Sequence, residues 1–164
     1  MRALNEYKKK IIMLGDPAVG KTSLVRRYVH DEFDDSYLTT FGTKPLKKVV
    51  ELEQAQVNFL IWDIAGHITE SLSSRYFSGA RGAIIVCDLT RKKTLDSVEK
   101  WRSRVIEKEG EIPIKLLLNK SDLDDWDFSK DDVNFSEMDP TITSAKTGTN
   151  VDEAFNSLAH KIIS

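Results

Sequence analysis

This chain of 164 residues contains a single cysteine, Cys87, so no disulfide can form within it. Sparse cysteine is typical of proteins from a reducing compartment, and we therefore expect a cytoplasmic protein. Cys87 continues the apolar run 83–86 and is predicted to be a core residue rather than a redox group.

Long apolar segments are also missing. No run is long enough to span a bilayer, and the N-terminal residues lack an apolar stretch of signal-peptide length. Arg2 follows Met1 where a myristoylation signal has glycine, and the C-terminal residues carry no prenylation cysteine. We therefore expect no intrinsic membrane anchor in this chain.

Neither sign of charge dominates the sequence. The chain has 24 basic and 26 acidic residues and a formal net charge of −2. This balance gives no general attraction to polyanions, so we expect no nucleic-acid partner. Repeats and linkers are absent too, which predicts one domain over 1–164, expected to be monomeric.

The most informative feature is the octapeptide GDPAVGKT at 15–22, which fits the P-loop pattern G-x-x-x-x-G-K-[ST]. A strand-like run, 10–14, precedes it and a helical pattern follows. This arrangement aims backbone N–H groups and a helix dipole at one point, where phosphate binds. Lys21 is predicted on the terminal phosphates and the Thr22 hydroxyl on Mg²⁺. The alternative is a glycine turn with a chance lysine. The predicted phosphate contacts are Asp16, Pro17, Ala18, Val19, Gly20, Lys21, Thr22 and Ser23.

Strand-length apolar runs alternate with helical patterns along the chain. This alternation predicts an α/β fold with a mostly parallel sheet and helices on both faces. The short link between 46–52 and 56–62 requires a hairpin, and hence one antiparallel edge strand. We predict strands near 9–14, 46–52, 56–62, 82–88, 113–118 and 140–143, and helices after the P-loop, over 94–108 and from Asn150 onward.

Two local features add to this outline. Asn150 is predicted to be an N-cap, with Glu153 completing a capping box. The acidic stretch 122–139 lacks the glycine and glutamate spacing of a calcium loop, so we expect a solvated loop with a short helix.

The NKSD sequence at 119–122 follows a predicted strand, at the edge where open sheets bind ligands. The Asp122 carboxylate can accept hydrogen bonds from guanine N1–H and the 2-amino group, whereas adenine offers no such pair. A buried carboxylate there would therefore reject ATP. Asn119 is expected to brace the P-loop, and the backbone of TSAK at 143–146 to meet the guanine oxygen. A polar strand-end turn is the alternative. The predicted base contacts are Asn119, Lys120, Asp122, Ser144, Ala145 and Lys146.

A third motif, WDIAG at 62–66, ends another predicted strand. Asp63 is placed to hold Mg²⁺ through a water, and the Gly66 N–H to touch the γ-phosphate. The segment 37–42 lies between the first helix and the next strand. Its threonines are the candidates for a second hydroxyl on the metal.

In this order, GDPAVGKT, the Thr40 region, WDIAG, NKSD and TSAK resemble the motifs of Ras-superfamily small GTPases, closest to the Rab and Rho branches. The resemblance covers nearly the whole chain. It implies a P-loop G domain with a six-stranded mixed sheet and about five helices. It also implies GTP and GDP as ligands with Mg²⁺, slow hydrolysis of GTP, and effectors, an exchange factor and a GTPase-activating protein as partners.

The resemblance also assigns two switch regions, switch I at about 31–43 and switch II at about 66–78. Thr40 becomes the switch I threonine on the metal, and Tyr37 joins the nucleotide contacts. Phe33 would stack edge-on against guanine, although it could equally be a core aromatic that caps the first helix.

His67 departs from the family pattern, because Ras and Rab relatives usually carry a glutamine there that orients the attacking water. We predict Lys21, Thr40 and His67 as catalytic residues. The hypothesis for His67 is that it positions water only when a partner orders switch II. Intrinsic hydrolysis would then be slow, on the order of 10⁻⁴ s⁻¹. The alternative is a surface histidine with no catalytic part.

Pro17 is a second departure, because proline has no N–H to donate to phosphate. Its ring should stand near the γ-phosphate, so we expect an activating partner to avoid this corner or to work without an arginine finger. Switch II and the segment after Asp122 are shorter than in Rab proteins. The link to switch I is too short for an inserted domain, so any finger would come in trans.

Two other functions stay open. The chain could be a GTP-loaded scaffold with little or no hydrolysis, which His67 and Pro17 keep possible. It could also be a P-loop nucleotide kinase, although so compact a chain offers neither a lid nor an acceptor site.

Overall fold

The computed structural model describes residues 5–34 and 45–164. These residues contain a six-stranded sheet and five α-helices. The strands are β1 Asn5–Leu14, β2 Leu46–Glu51, β3 Ala55–Asp63, β4 Ala80–Asp88, β5 Ile114–Asn119 and β6 Thr141–Ile142. The helices are α1 Lys21–His30, α2 Glu70–Phe77, α3 Lys92–Asp96, α4 Val98–Glu109 and α5 Val151–Ile163.

The strands lie in the order β2-β3-β1-β4-β5-β6. All neighbouring pairs are parallel except β2 and β3, which pair antiparallel from Leu46 opposite Ile61 to Glu51 opposite Gln56. The predicted six-stranded mixed sheet with an antiparallel edge strand is therefore confirmed. The hairpin follows from the few residues between β2 and β3, which are too few for a crossover helix.

Two hydrophobic layers cover the two faces of the sheet. Ile11 and Met13 of β1 belong to the layer that holds α1 and α5, whereas Ile12 and Leu14 belong to the layer that holds α4. Successive side chains of a strand point to opposite faces, so a strand covered on both faces is apolar throughout. This explains the apolar runs in β4, in β5 and in the last four residues of β1, whereas the first six residues of β1 are mostly polar and none is buried.

Cys87 is buried in β4, as predicted, within the layer that holds α4. Burial raises the pKa of its thiol. A thiol that stays protonated is a poor nucleophile and metal ligand, so its role in this structure is packing.

Two local predictions were wrong. The helix predicted over 94–108 is divided, because α3 ends at Asp96 and α4 begins at Val98. Asn150 occupies the N-cap of α5 in a left-handed conformation, with φ 58°, and its side chain makes no capping hydrogen bond. Its Nδ2 donates instead to the Ile142 carbonyl at 2.9 Å, so the capping box with Glu153 does not form.

The acidic stretch after β5 forms a loop with two 3-10 turns, Lys130–Asp132 and Ser136–Met138. Within residues 5–34 and 45–164, no group of three His, Cys, Asp or Glu side chains is arranged to hold a metal. In the same residues, no helix has both the length and the apolarity needed to cross a bilayer.

Candidate nucleotide site

The loops that follow β1, β3, β5 and β6 all leave the same edge of the sheet, because the carboxyl ends of parallel strands point the same way. β1 has β3 on one side and β4 on the other, so the chain order reverses there. Open α/β sheets bind ligands at such a reversal. All the predicted motifs that the structure describes therefore lie at one edge.

The P-loop leads from β1 into the first turn of α1. Gly15 approaches β4 so closely that a Cβ atom would lie 2.5 Å from the Val86 carbonyl oxygen, which only glycine avoids. Ala18 and Gly20 adopt positive φ angles of 65° and 100°. Alternation of this kind turns successive N–H groups toward one side and forms an anion-binding concavity in front of the helix.

Lys21 lies across this loop with 6% of its surface exposed. Its Nζ donates to the carbonyl oxygens of Gly15 and Asp16 at 3.0 and 3.1 Å. Burial lowers the pKa of Lys21 to about 8, although the carboxylates of Asp63 and Asp16 oppose the shift. An ammonium group with so little exposure to solvent is stabilised by a neighbouring anion, and a phosphate group is a suitable one.

Two groups that could supply oxygen ligands to a metal ion, the Thr22 hydroxyl and the Asp63 carboxylate, meet beside Lys21. The Thr22 hydroxyl donates to Asp63 Oδ2 at 2.5 Å, which joins the start of α1 to the end of β3. Mg²⁺ is usually held by one or two carboxylates together with substrate phosphates and water, so a hydroxyl and a carboxylate beside a phosphate site fit this ion. The third predicted ligand, Thr40, lies outside the described residues.

Asn119 joins the phosphate side of the site to the base side. It is 1% exposed, and its Nδ2 donates to the Val19 carbonyl at 3.0 Å. Its Oδ1 accepts hydrogen bonds from the Thr143 hydroxyl and the Ala145 N–H, at 3.2 and 3.3 Å. One buried amide therefore holds three loops together.

The NKSD and TSAK loops also meet directly. The Ser144 hydroxyl donates to Asp122 Oδ1 at 2.8 Å. Ser144 and Ala145 are buried and Lys146 is exposed. Asp122 is exposed as well, and its contact with guanine stays a prediction.

A sequence profile of the Ras family matches residues 10–164. The chain belongs to the Ras family. Ras-related protein Rab-13 of Mesocricetus auratus is 34% identical over 94% of this chain and 79% of its own length. GTP-binding protein ypt2 of Schizosaccharomyces pombe is 35% identical over 96% of this chain and 82% of its own length. Ras-related protein RABA4b of Arabidopsis thaliana is 34% identical over 96% and 73%. This Ras-family chain is thus a small GTPase of Rab type.

In this Ras-family chain, the start of the segment predicted to be switch II packs on the P-loop. A Cβ atom on Gly66 would lie 2.4 Å from the Pro17 nitrogen and 2.6 Å from the Asp16 carbonyl carbon, so the contact requires glycine. The next residue, His67, is exposed. No hydrogen bond from its imidazole is found within residues 5–34 and 45–164.

Only part of switch I lies in the described residues. Phe33 is partly buried and packs against the core layer that holds α1 and α5. This contact agrees with the alternative of a core aromatic, and stacking on guanine stays a prediction. Tyr37 and Thr40 lie outside the described part of the chain.

Sequence reasoning missed Asp88 and Arg91 of this Ras-family site. Asp88 ends β4, and its side chain is 2% exposed. Its Oδ2 accepts hydrogen bonds from Arg91 Nε and Lys120 Nζ, both at 3.0 Å. Burial would raise the pKa of Asp88, but the hydrogen bonds from Thr90, Lys120 and Arg91 outweigh it and leave that pKa below its usual value. The sequence did contain a signal for Asp88, because a carboxylate stands at the end of an apolar strand, at the edge of the sheet where ligands bind.

Arg27 and Asp16 each make two further long-range hydrogen bonds. Arg27 of α1 donates to the carbonyl oxygens of Ala145 and Lys146 at 2.8 and 2.6 Å, and so supports the TSAK loop. The Asp16 carboxylate accepts hydrogen bonds from the Ser97 hydroxyl at 2.7 Å and from the Trp101 indole at 3.2 Å. No local pattern indicates these pairs, because their members are far apart in sequence.

Proposed function

We propose that this chain is a molecular switch that binds GTP or GDP with Mg²⁺ and slowly hydrolyses GTP to GDP and phosphate. The observation that carries the proposal is the position of Asn119, which ties the P-loop to the NKSD and TSAK loops. Such a link makes one continuous site for a base and its phosphates. Family membership supports a GTP-binding protein with GTPase activity in general.

In this proposal, the chain's own residues position the phosphates and the attacking water. Lys21 would neutralise charge on the β- and γ-phosphates, and Thr22, Asp63 and Thr40 would hold Mg²⁺. The metal would supply further stabilisation of charge on the transferred phosphoryl group. The Gly66 N–H would contact the γ-phosphate, which the packing of Gly66 on the P-loop supports.

His67 would orient the nucleophilic water once a GTPase-activating protein orders switch II. Its exposure supports a slow intrinsic rate, since an imidazole without a fixed orientation cannot hold water in line with the phosphate. Ordering of the switch loops by the γ-phosphate, and their release on hydrolysis, would change the surface offered to effectors.

The scaffold without hydrolysis remains a second candidate, again because His67 is exposed and makes no hydrogen bond within residues 5–34 and 45–164. Single-turnover hydrolysis of GTP with Mg²⁺, with and without cell extract, tests the two candidates. For the switch we expect a rate on the order of 10⁻⁴ s⁻¹ that extract stimulates. We expect His67→Ala to keep the slow rate but to lose at least about 100-fold of the stimulated rate. His160→Ala, which alters an exposed histidine of α5, is the matched control.

Three outcomes decide this experiment. Stimulated hydrolysis by His67→Ala at the parent rate removes the catalytic role of His67. No turnover by the parent with extract favours the scaffold. Binding of ADP as tightly as GDP, or ATP rather than GDP or GTP as the co-purifying nucleotide, rejects guanine specificity and reopens the nucleotide kinase.

A further inference from the structure

Three consecutive carbonyl groups of the P-loop are each held by a different side chain. The Pro17 oxygen accepts a hydrogen bond from Arg91 Nη2 at 3.0 Å. The Ala18 oxygen accepts one from Lys120 Nζ at 2.8 Å, and the Val19 oxygen one from Asn119 Nδ2 at 3.0 Å. The donors come from the ends of β4 and β5, on the side of the loop that faces those strands.

These contacts fix the N–H groups as well as the carbonyls. A trans peptide unit is planar, and its C=O and N–H point in opposite directions. The described residues contain no cis peptide bond. Holding the three carbonyls therefore turns the N–H groups of Ala18, Val19 and Gly20 to the opposite side, where an anion-binding concavity forms.

The orientation of the Pro17–Ala18 peptide unit depends on its hydrogen-bond partner more than that of the next two units. Pro17 has no N–H, so the Ala18 N–H is the first donor available after Asp16. Ala18 also has a φ of 65°, a left-handed conformation that costs a residue with a Cβ about 1 kcal/mol. The orientation of the Pro17–Ala18 peptide is therefore not set by local preference, and Arg91 holds its carbonyl.

Arg91 is itself held in place. Its Nε donates to Asp88 Oδ2 at 3.0 Å while Nη2 reaches the Pro17 oxygen. Asp88 is fixed in turn by the N–H and hydroxyl of Thr90, which donate to its Oδ1 at 2.9 and 2.7 Å. A planar guanidinium suits this task because its donors have a fixed geometry and can bridge two acceptors.

We propose that Arg91 is a positioning residue for phosphate binding, which turns the Ala18 N–H toward the phosphates by holding the Pro17 carbonyl from behind. This role rests on the proposed function. A charged donor on the carbonyl also polarises the peptide and strengthens the hydrogen bond that its N–H donates. Arg91 does not need to touch the nucleotide.

The test measures release of fluorescently labelled GDP from the Mg²⁺-loaded protein. Arg91→Met keeps the length of the side chain and removes its donors, and we expect release about 10-fold faster than from the parent. Arg91→Lys keeps the charge, but an ammonium cannot bridge the Asp88 carboxylate and the Pro17 carbonyl as the guanidinium does, so we expect release between the parent rate and the Arg91→Met rate.

Arg102→Met is the matched control. Arg102 is 32% exposed against 33% for Arg91, and it also pairs with a carboxylate, Glu99 at 3.3 Å. The variant therefore removes the same charge, but from α4 and from an exposed carboxylate (Glu99, 58% exposed) rather than from the buried Asp88 (2% exposed) and the P-loop contact. We expect release at the parent rate.

A second measurement separates positioning from folding and from simple charge. In the GDP-bound protein, the amide proton of Ala18 should shift upfield in Arg91→Met, as expected for a weaker hydrogen bond, while the amide of Leu158 in α5 does not move. The ratio of the release rates should persist in about 1 M salt, where interactions of exposed charges are screened.

Release from Arg91→Met at the parent rate, an unmoved Ala18 amide, or a ratio that falls to one in high salt would each overturn the role of Arg91. If the parent itself fails to bind GDP, the proposed function falls and this inference with it. The parent measurement therefore distinguishes the two failures.

Discussion

At the scale of single residues, Lys115 is the cation that is most enclosed outside the nucleotide site. It lies in β5 with its side chain 3% exposed, and its Nζ donates to Asp139 Oδ2 at 2.6 Å. This hydrogen bond is the main cause of a pKa of Asp139 below its usual value. Neutralising the carboxylate would leave a buried ammonium without its counter-charge, which is costly.

We therefore predict that Asp139→Asn lowers the free energy of unfolding by about 2 kcal/mol near neutral pH, measured by urea denaturation. The estimate is modest because the Asp139 side chain is 56% exposed and its charge is partly screened. Asp124→Asn, in the same exposed loop, is the control and should change little.

The sign of the pH dependence follows from the lowered pKa of Asp139. A carboxyl group with a lowered pKa stabilises the fold above its usual pKa, and the effect is lost as pH falls through the folded-state value. The difference between the parent and Asp139→Asn should therefore be constant from about pH 5 to 8 and shrink below about pH 4. A difference that stays constant into strong acid would contradict the pairing.

At the scale of elements, the break between α3 and α4 has a specific cause. Ser97 stands between the two helices, and its hydroxyl lies 2.7 Å from Asp16 Oδ2 and 3.1 Å from the Lys93 carbonyl oxygen. A hydroxyl has one proton to donate, and the nearer, charged carboxylate is the stronger acceptor. Trp101, one turn further along α4, donates to the other oxygen of Asp16. The start of α4 is thus bound to the P-loop.

Ser97→Ala should lower the free energy of unfolding by about 1.5 kcal/mol, because it removes a hydrogen bond to a charged acceptor. Ser103→Ala is the matched control, since the Ser103 hydroxyl has only an exposed 3.5 Å contact with Glu99. Urea denaturation of both variants measures the difference. Equal stability of the two would show that the Ser97 contact contributes nothing.

The strands and the loops after them could be predicted from the sequence, whereas contacts between distant elements could not. β1, β4 and β5 are clear from their apolar runs, and the loops after them fall at one edge because the strands are parallel. The break at Ser97 and the contact of Asn150 with Ile142 were not predictable, because their partners are chosen by the assembled sheet.

At the scale of the whole molecule, α1 and α5 close one face of the sheet. Tyr28 and Phe155 stack with ring centroids 3.9 Å apart and an interplanar angle of 5°, and Phe155 is fully buried. The same two helices support the site, because Arg27 of α1 holds the TSAK loop that precedes α5. Packing of this layer and binding of nucleotide should therefore be linked.

Phe155→Ala tests this link. Truncating a buried phenylalanine costs about 3–5 kcal/mol, a large share of the 5–15 kcal/mol that stabilises typical domains. Ligand at about 1,000 times its Kd returns about 4 kcal/mol by mass action. We therefore expect Phe155→Ala to unfold at a much lower temperature than the parent without nucleotide. Mass action alone would give the parent and the variant the same gain in free energy from GDP and Mg²⁺, so the link predicts a smaller gain for Phe155→Ala at the same GDP concentration, as measured by calorimetry. ADP is the ligand control, and Phe155→Leu, which keeps most of the apolar volume, is the variant control. An equal gain for the parent and Phe155→Ala would contradict the link between this face and the nucleotide site.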